Sequence, residues 1–420
     1  MPRWTALRRT IKAMNVEIMP SALRGTVNAP PSKSYAHRLL ICAVLSDRPC
    51  RISGISRSED VSATLDCIVS LGGSYRIDGS TIEVYPRSGE KAGEIFSCRE
   101  SASTLRFFVP LALTMGQRAE FRGSERLIQR GIDEYAAAFT GKGIEIKKTP
   151  AAVRLRGRLR AGEYVLRGDV SSQFVSGLLF ALPLVGGESR ITVLPPVESR
   201  AYIDLTLEVL HSFGVSVSER EKNVFDIPGG QKYTGADCAA EGDWSNAAVL
   251  YALAEMGAEI GITGLKADSA QGDRQCIEFL HSLKNSCAEI DVSGTPDLAP
   301  VLMAFAAMNR GALLTGTKRL RLKESDRAAV MAEELAKFGA RTEVNDDSVF
   351  IAAARLHAPS EKLSAHNDHR AAMALALPCL KYGGAICGAE AVNKSWPEFF
   401  DVLQSLGGSI RTDMPKNQHT

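Results

Sequence analysis

Basic side chains stand at the start of several apolar, helix-like stretches of this sequence. They are Lys33 in "PPSKSYAHR", Arg106 in "ESASTLR", Arg370 in "NDHR", and Lys323 and Arg327 in "LKESDR". The N-terminus of a helix has unpaired N–H groups and a partial positive charge, so it disfavours a cation and favours an anion. One such cation is usually a solvated side chain or half of an ion pair. Several together predict helix N-termini and cations that converge on a multiply anionic ligand.

Other polar residues near these stretches have a simpler interpretation when each is taken alone. Ser171, Ser172 and Asp243 are residue types that cap helices, and capping explains them without a ligand. Arg130 in "FRGSERLIQRGID" and Lys394 in "VNKSWPEFF" would by themselves be surface charges. A role for them in a binding site depends on the rest of the chain.

Several common reaction chemistries lack their sequence signatures here. The chain has no G-x-x-x-x-G-K-[ST] phosphate loop, no G-x-S-x-G turn and no H-E-x-x-H zinc motif. The seven histidines show no metal-ligand spacing, and the nine cysteines are odd in number, scattered and without a C-x-x-C pair. That pattern predicts reduced, mostly buried thiols and a cytoplasmic protein. We expect neither a metal nor a cofactor.

The balance of basic and acidic residues limits the kinds of molecule that the protein is expected to bind. Fifty basic residues face 48 acidic ones, so the sequence does not indicate broad binding to nucleic acid or to a membrane surface. The longest apolar run, "SGLLFALPLVGG", is shorter than the roughly 18 residues of a membrane span. The expected partners are therefore small anionic substrates, bound by a few well-placed cations.

A pattern with a period of roughly 70 residues organises the chain. Its first half is a helix without a polar face, as in "HRLLICAVL" and "DLAPVLMAFAAMN", which predicts burial on every side. Its second half is an amphipathic helix followed by two short strands, as in "ELAKFGARTEVNDDSVFIAAA". The stretch "FLHSLKNSCAEI" fills one of these second halves. Six units predict an α/β (α+β) fold of two similar globular domains, each with three units around buried parallel helices. An ordinary doubly wound α/β protein is the alternative.

The clusters "PSKSYAHR", "SSQF", "LKESDR", "NDHR" and "KSWPEFF", in this order, resemble the enolpyruvyl transferase family, and most closely its members that use shikimate 3-phosphate. The resemblance extends over residues 16–408. It implies six βαβαββ units in two halves, which agrees with the repeat. It also implies that residues 1–31 and 242–420 form one half and residues 32–241 the other, with the active site between them. We interpret residues 1–13 as an extension.

The resemblance further implies a reaction. The enolpyruvyl group of phosphoenolpyruvate would be transferred to the 5-hydroxyl of shikimate 3-phosphate, with release of phosphate, on the route to chorismate and the aromatic amino acids. Such chemistry requires an acid for the alkene carbon, a base for the alcohol, and cations for the phosphates and carboxylates. The enzyme would be monomeric and would need no cofactor.

The family motif can be carried over residue by residue. Positions that match phosphoenolpyruvate contacts are Lys33, Ala102, Arg130, Gln173, Arg327, Arg370 and Lys394. Positions that match shikimate 3-phosphate contacts are Lys33, Ser34, Arg38, Ser171, Ser172, Gln173, Ser199, Tyr202, Asp297 and Lys323. The catalytic set implied in this way is Lys33, Asp297 as base, Glu324 as proton-transfer group, and Lys323 as its charge partner or acid.

Two positions depart from the family pattern. Pro31 replaces a glycine that the family often has before the serine and lysine, which stiffens the chain there. Ala102 replaces another family glycine, and its methyl group would crowd the phosphoenolpyruvate pocket. Two rival functions remain open from sequence. One is the sister enzyme that uses UDP-N-acetylglucosamine, and the other is a non-catalytic anion-binding protein of the same fold.

Overall fold

A computed structural model of the protein describes residues 14–88, 93–116 and 118–413. The extension that we interpreted at residues 1–13 lies outside this part of the chain. Two separate hydrophobic cores are present. One is built from residues within 35–233, and the other joins residues within 16–27 to residues within 244–410.

The described residues form thirteen α-helices and four short 3₁₀ turns. The helices are α1 (Lys33–Leu45), α2 (Glu59–Ser70), α3 (Ala102–Met115), α4 (Glu125–Arg130), α5 (Asp133–Ala138), α6 (Ser172–Ala181), α7 (Arg200–Ser212), α8 (Trp244–Glu255), α9 (Cys276–Asn285), α10 (Ala299–Met308), α11 (Arg327–Ala336), α12 (His369–Tyr382) and α13 (Phe399–Ser405). The 3₁₀ turns are Leu182–Leu184, Gly272–Gln275, Lys318–Leu322 and Ala389–Lys394.

The strands of the described chain are short. They are β1 (Asn15–Met19), β2 (Arg24–Asn28), β3 (Cys50–Ser53), β4 (Ser74–Asp78), β5 (Thr81–Tyr85), β6 (Ile95–Arg99), β7 (Arg118–Gly123), β8 (Glu145–Thr149), β9 (Ala152–Arg156), β10 (Glu163–Arg167), β11 (Ser189–Leu194), β12 (Ser218–Glu221), β13 (Val224–Ile227), β14 (Cys238–Ala239), β15 (Glu259–Thr263), β16 (Ala288–Asp291), β17 (Ala312–Thr315), β18 (Arg341–Val344), β19 (Ser348–Ala352), β20 (Leu363–Ser364), β21 (Gly384–Cys387) and β22 (Ser409–Asp413).

Six helices are buried almost all round, as their composition predicts. They are α1, α3 and α6 in the first core and α8, α10 and α12 in the second. In α10 every residue from Ala299 to Ala307 is buried, because the sequence offers no polar side chain to face water. The amphipathic helices α2, α7, α9 and α11 each bury one face against these six.

The sheets repeat one pattern. In the order β6-β7-β9-β8, a parallel pair is extended by an antiparallel hairpin, with Phe96 opposite Phe121 and Phe121 opposite Val153. Three further sheets follow the same rule, in the orders β10-β11-β13-β12, β14-β3-β5-β4 and β16-β17-β19-β18. The sheet β20-β21-β1-β22 has the same pairing directions, but its antiparallel pair β1 and β22 comes from the two ends of the described chain. The N-terminal strand β1 thus completes the sheet of the last unit.

One unit departs from the predicted repeat. Only two residues, Ser286 and Cys287, separate α9 from β16, and β16 pairs with β17 in the sheet of the next unit. The chain is therefore too short at this place for the two strands that we expected after the helix in "FLHSLKNSCAEI". The sheet of that unit contains two strands, β15 and β2, among the described residues. The prediction of two strands after α9 is therefore wrong.

The chain passes between the two cores at two adjacent places. Pro31 and Gly242 form an antiparallel bridge, and the Ser32 N–H donates to the Glu241 carbonyl at 2.7 Å. Strands are exchanged at this crossing, because β2 leads into α1 but pairs with β15, while β14 leads into α8 but pairs with β3. The crossing therefore places the N-termini of α1 and α8 side by side.

Within the described ranges, no helix combines the length and apolar character needed to cross a membrane.

Candidate active site

Lys33 is the first residue of α1 and lies where the two cores meet. Ser32 caps the helix, with its Oγ accepting from the Tyr35 N–H. The Lys33 ammonium is 2.8 Å from a carboxylate oxygen of Asp60, at the start of α2. The Lys33 backbone N–H donates at 3.2 Å to Asp243, the cap of α8. Carboxylates from two other helices therefore offset the positive charge of this helix start.

His37 and Arg38 lie one turn further along α1. The two ring nitrogens of His37 are 2.6 Å from Thr64 Oγ1 on α2 and 3.1 Å from Ser103 Oγ on α3. Burial, together with the charges of Lys33 and Arg38, lowers the pKa of His37 well below its usual value, so the ring is neutral at pH 7. His37 therefore links the first turns of three helices without adding charge.

Arg38 is a buried cation held by neutral groups. Its guanidinium donates to Thr206 Oγ1 at 2.8 Å, to the Ser34 carbonyl at 2.8 Å and to the Tyr202 carbonyl at 2.9 Å. Burial lowers its pKa to about 10, which still leaves it charged at neutral pH. A buried guanidinium whose hydrogen-bond partners are uncharged attracts any anion that reaches it.

A second group of predicted residues meets at the starts of α3 and α6. Ala102 is the first residue of α3 and is buried. Ser171 caps α6, and Ser172 and Gln173 form its first turn. Arg106 donates to Gln173 Oε1 at 2.8 Å, and burial lowers its pKa to about 9. Arg106 is one of the cations that the sequence places at a helix start, but the family motif does not include it among the site residues.

A dense network of charges lies in the 242–420 part of the chain. The Arg327 guanidinium, 1% exposed, is 2.6 Å from Asp297, 2.8 Å from Glu324 and 2.9 Å from Asp368. Lys323 adds a second contact to Asp297, at 3.0 Å. The sequence motifs "PD", "LKESDR" and "NDHR" thus meet in space.

These charges control the ionisation of the predicted acid and base. Burial opposes the ionisation of Asp297, but Lys323, Arg327 and Arg370 outweigh it and hold the pKa of Asp297 well below its usual value. Burial likewise opposes ionisation of Glu324, and nearby arginines again lower its pKa. Burial lowers the pKa of Lys323, although Asp297 opposes that shift. Both carboxylates are therefore ionised at neutral pH.

Arginines on α4 hold the segment that contains Lys323. Arg126 donates to the Arg321 and Lys323 carbonyls at 3.2 and 3.1 Å. Arg130 donates to the Leu322 carbonyl at 3.0 Å and to Glu324 Oε1 at 3.2 Å. Because α4 belongs to the first core and this segment to the second, these bonds join the two parts of the chain.

Ser199 and Tyr202, at the start of α7, also contact the 242–420 part of the chain. Ser199 has φ +56° at the start of α7, and its Oγ accepts from Arg319 at 2.8 Å. Arg319 also pairs with Glu198 at 3.0 Å. The Tyr202 hydroxyl donates at 2.7 Å to Asp273, in the 3₁₀ turn Gly272–Gln275.

Asp273 is an ionisable group in an unusual setting. It is 1% exposed, and its Oδ1 has no hydrogen-bond partner. Burial, reinforced by the negative charge of Asp297, raises its pKa to about 7. Its protonation therefore changes within the physiological range.

A cavity of about 310 Å³ opens between the two parts of the chain. Its basic lining residues are Arg106, Arg126, Arg130, Arg319, Arg321 and Lys323, with Ser171 and Gln173 beside them and Asp133 and Glu134 among its acidic lining. Of the other predicted residues, Lys33, Asp297, Arg327, Arg370 and Lys394 do not line this cavity. Asp297, Arg327 and Arg370 belong to the adjoining charge network, whereas Lys33 pairs with Asp60 and Lys394 pairs with Glu100.

Several polar residues of the site were missed in the sequence. Arg319 is one of four basic residues in "TKRLRLK", and its spacing does not distinguish it from the exposed Arg321. Asp60 and Asp273 lie in ordinary helical and turn sequences. Asp368 in "NDHR" is a residue type that caps helices, and it does accept from the Arg370 N–H at 2.8 Å. Its second role, toward Arg327, depends on the fold.

One group of described residues has a geometry that a metal ion could use. Ligand atoms of Glu333, Glu334 and His366 lie within 4.8 Å of one another. However, the Lys337 ammonium is 3.0 Å from both oxygens of Glu334. A cation at this position would have to displace that ammonium.

Comparisons with known proteins show the family of the chain. Residues 18–285 and 279–403 match the family EPSP synthase (3-phosphoshikimate 1-carboxyvinyltransferase). The chain belongs to the EPSP synthase family. A 3-phosphoshikimate 1-carboxyvinyltransferase of Clostridium kluyveri is 39% identical over 94% of this chain and 98% of that protein. One of Clostridium perfringens (strain 13 / Type A) is 36% identical over 95% of this chain and 99% of that protein.

Solved structures confirm the fold class. An EPSP synthase from Acinetobacter baumannii has a TM-score of 0.78 at 22% identity, covering 96% of this chain and all of that one. The enolpyruvyl transferase NikO from Streptomyces tendae has a TM-score of 0.76 at 16% identity, covering 95% of this chain and 99% of that one. The doubly wound α/β alternative is excluded by these matches and by the repeated four-stranded sheets.

The raised pKa of Asp273 predicts a dependence of stability on pH. Between its usual value and about 7, the native state holds a proton that the unfolded state has lost, so stability falls as the pH rises through this window. Asp273→Asn, which stays neutral, should flatten that fall. The proton is lost over about two pH units, from pH 5 to about 7, at about 1.4 kcal/mol per unit, so the wild type should lose about 2–3 kcal/mol more than the variant. For a chain of this length that corresponds to a melting temperature that drops by roughly 2–4 °C more in the wild type between pH 5 and 8.

The matched control is Asp401→Asn, which removes an exposed carboxylate on α13. Scanning fluorimetry at both pH values measures all three proteins. A wild type and an Asp273→Asn variant with parallel pH dependence would contradict the assignment of a raised pKa to Asp273.

Proposed function

We propose that the protein is a 3-phosphoshikimate 1-carboxyvinyltransferase that transfers the enolpyruvyl group of phosphoenolpyruvate to the 5-hydroxyl of shikimate 3-phosphate and releases phosphate. The observation that carries this proposal is the convergence of cations from both cores on the ionised pair Asp297 and Glu324. Membership of the EPSP synthase family supports the same chemistry. In a cell it would supply the shikimate pathway to chorismate and the aromatic amino acids.

The two cores correspond to the two halves that we propose as domains, residues 1–31 with 242–420, and residues 32–241. The paired crossing at Pro31 and Gly242 leaves two adjacent connections between them. Two close connections permit the halves to open and close about the crossing. Closure brings α4 onto the segment that carries Lys323 and Glu324, excludes water and strengthens each electrostatic contact.

We assign shikimate 3-phosphate to the side of the cleft formed by α1, α6 and α7. Ser171, Ser172 and Gln173 at the start of α6, with Ser199, suit a phosphate, because hydroxyls and helix N–H groups bind phosphate oxygens. The other contacts in this assignment are Lys33, Ser34, Arg38, Tyr202, Asp297 and Lys323. Two observations support this assignment. Arg38 is buried among uncharged hydrogen-bond partners, and one of these partners is the carbonyl of Tyr202, another residue of the assigned set.

We assign phosphoenolpyruvate to the neighbouring cations. The proposed contacts are Lys33, Ala102, Arg130, Gln173, Arg327, Arg370 and Lys394. Arg130 and Arg327 both contact Glu324, so a phosphate or carboxylate held by these arginines would lie beside the proposed proton-transfer group.

The proposed chemistry has two steps. When the anionic substrates bind, Glu324, with Lys323 beside it, takes up a proton. The substrate hydroxyl then loses its proton to Asp297 and its oxygen adds to C2 of phosphoenolpyruvate, while protonated Glu324 delivers its proton to C3. In the second step the tetrahedral adduct returns the proton from C3 to Glu324, the bond from C2 to the phosphate oxygen breaks, and the phosphate leaves with the proton from Asp297. Asp297 and Glu324 are weak bases in the charge network described above. Anionic substrates that pair with Arg327, Arg370 and Lys323 would raise the proton affinity of both carboxylates.

The site is complete within one chain, so we propose that the enzyme acts as a monomer. Its mixed surface charge and the nine free cysteines, six of them buried, are consistent with a cytoplasmic location.

Phosphate release tests the proposed function. Phosphate should form only when phosphoenolpyruvate and shikimate 3-phosphate are both present, because neither alone can give the tetrahedral adduct. Each substrate is omitted in turn, and UDP-N-acetylglucosamine replaces shikimate 3-phosphate in a parallel reaction. Release only with the nucleotide sugar would overturn the acceptor, and no release with either would favour an anion-binding protein.

Lys33→Ala should reduce turnover by at least about a hundredfold, because a cation that contacts both substrates is lost. The variant should remain folded, although Asp60 loses its partner and some stability with it. Steady-state kinetics and circular dichroism measure the two effects. The control is Lys284→Ala, an exposed lysine on α9 that is also paired with a carboxylate, Glu255. Near-normal kcat in the Lys33 variant would refute the assignment.

Ala102 should affect inhibition by glyphosate, a mimic of phosphoenolpyruvate. Ala102 is buried at the start of α3, and its methyl group, which the family glycine lacks, would narrow the proposed phosphoenolpyruvate pocket. We expect Ala102→Gly to be inhibited at a concentration about tenfold lower, with little change in the KM for phosphoenolpyruvate. Equal inhibition of the two proteins would show that this methyl group does not limit binding.

A further inference from the structure

Glu100 contacts the opposite half of the molecule at the proposed phosphoenolpyruvate site. It lies between β6 and Ser101, the cap of α3, and so belongs to the 32–241 half. Its Oε2 is 2.5 Å from the ammonium of Lys394, in the 3₁₀ turn Ala389–Lys394 of the other half. Its carboxylate also accepts from the amide of Asn367, at 3.2 Å. Neither Glu100 nor these contacts were expected from the sequence.

Asn367 holds both members of this ion pair. Its side-chain amide donates to Glu100, and its backbone carbonyl accepts from the Lys394 ammonium at 2.6 Å. Asn367 has φ +55° and the preceding His366 has φ +49°, a left-handed backbone that is unfavourable for most residues and tolerated by asparagine. The fully buried Glu334 fixes this turn, because its carboxylate is 2.8 Å from His366 Nε2.

These contacts limit the directions in which Lys394 can bind a ligand. The side chain of Lys394 is 7% exposed, so its ammonium needs both a counter-charge and hydrogen-bond acceptors. Of its three N–H groups, one points to the Asn367 carbonyl and one to Glu100. The third is the one left to contact a substrate, and its direction is set by the other two.

We propose that Glu100 is a positioning residue that fixes Lys394 for phosphoenolpyruvate and, with Asn367, latches the two halves together. The inference rests on the proposed contact between Lys394 and phosphoenolpyruvate. When the halves separate, Lys394 loses its only ion-pair partner recorded in the described chain. Closure of the halves and correct orientation of this lysine are therefore one event.

Two substitutions of Glu100 separate the effect of its charge from the effect of its hydrogen-bond acceptor. Glu100→Gln keeps an acceptor oxygen for Lys394 but loses the charge, whereas Glu100→Ala loses both. Because the Glu100 side chain is about a third exposed, we expect a moderate effect: KM for phosphoenolpyruvate rises about tenfold in Glu100→Ala and about threefold in Glu100→Gln. The value of kcat should change less than KM, and KM for shikimate 3-phosphate should not change.

The control for charge is Glu145→Gln, which removes an exposed carboxylate from β8 of the same half. It should leave both KM values unchanged. If Glu100 instead competed with phosphoenolpyruvate for Lys394, its removal would lower the KM for phosphoenolpyruvate. A lowered or unchanged KM in Glu100→Ala would overturn the proposal.

Small-angle X-ray scattering of the proteins without substrates tests the latch without relying on turnover. Glu100→Ala should have a larger radius of gyration than the wild type and Glu145→Gln, because an attraction between the halves is lost. Equal radii would overturn the latch. Wild-type phosphate release tests the reaction separately, so an active wild type with normal Glu100 variants would refute only this inference. An inactive wild type with an expanded Glu100→Ala would refute the reaction and leave the latch.

Discussion

The guanidinium of Arg327 is the counter-ion that three carboxylates share. Asp297, Glu324 and Asp368 come from different places in the sequence, and each contacts this one side chain within 3 Å. Removal of one member of such a buried network usually costs several kcal/mol, because the remaining charges lose their compensation. The arrangement of the other site residues depends on this network. Asp368 caps α12 and positions Arg370, Asp297 precedes α10, and Glu324 reaches Arg130 on the opposite half.

The same principle explains why cations are found at helix N-termini in this protein. Each is accompanied by oxygen acceptors from other elements: Lys33 by the carboxylates of Asp60 and Asp243, and Arg370 by the amide oxygen of Asn246 and, at 3.7 Å, the carboxylate of Asp297. The helices themselves are apolar on all sides, so their polar residues can only be placed at their ends. The candidate site is therefore built from the polar residues at the N-termini of these buried helices.

The contacts across the cleft connect folding with function. Arg126 and Arg130 bind the backbone of residues 321–323, and Glu100 binds Lys394. These bonds are individually modest, because several of their members are partly exposed to water and to salt. Weak contacts of this kind suit the opening and closing of the two halves that we propose. The buried network around Arg327 lies within one half and does not have to break.

Local sequence patterns determined the secondary structure, the burial of the six apolar helices, the capping residues and the clusters that identify the family. These features depend on neighbours within one or two turns, so residue type and spacing are sufficient to predict them. The structure corrected the repeat only after α9, where the chain is too short for a hairpin. Tertiary structure alone decided the pairs Lys33 with Asp60, Tyr202 with Asp273 and Glu100 with Lys394. Such pairs join residues 27 to 294 positions apart, and no local rule specifies which acid meets which base until the helices are packed.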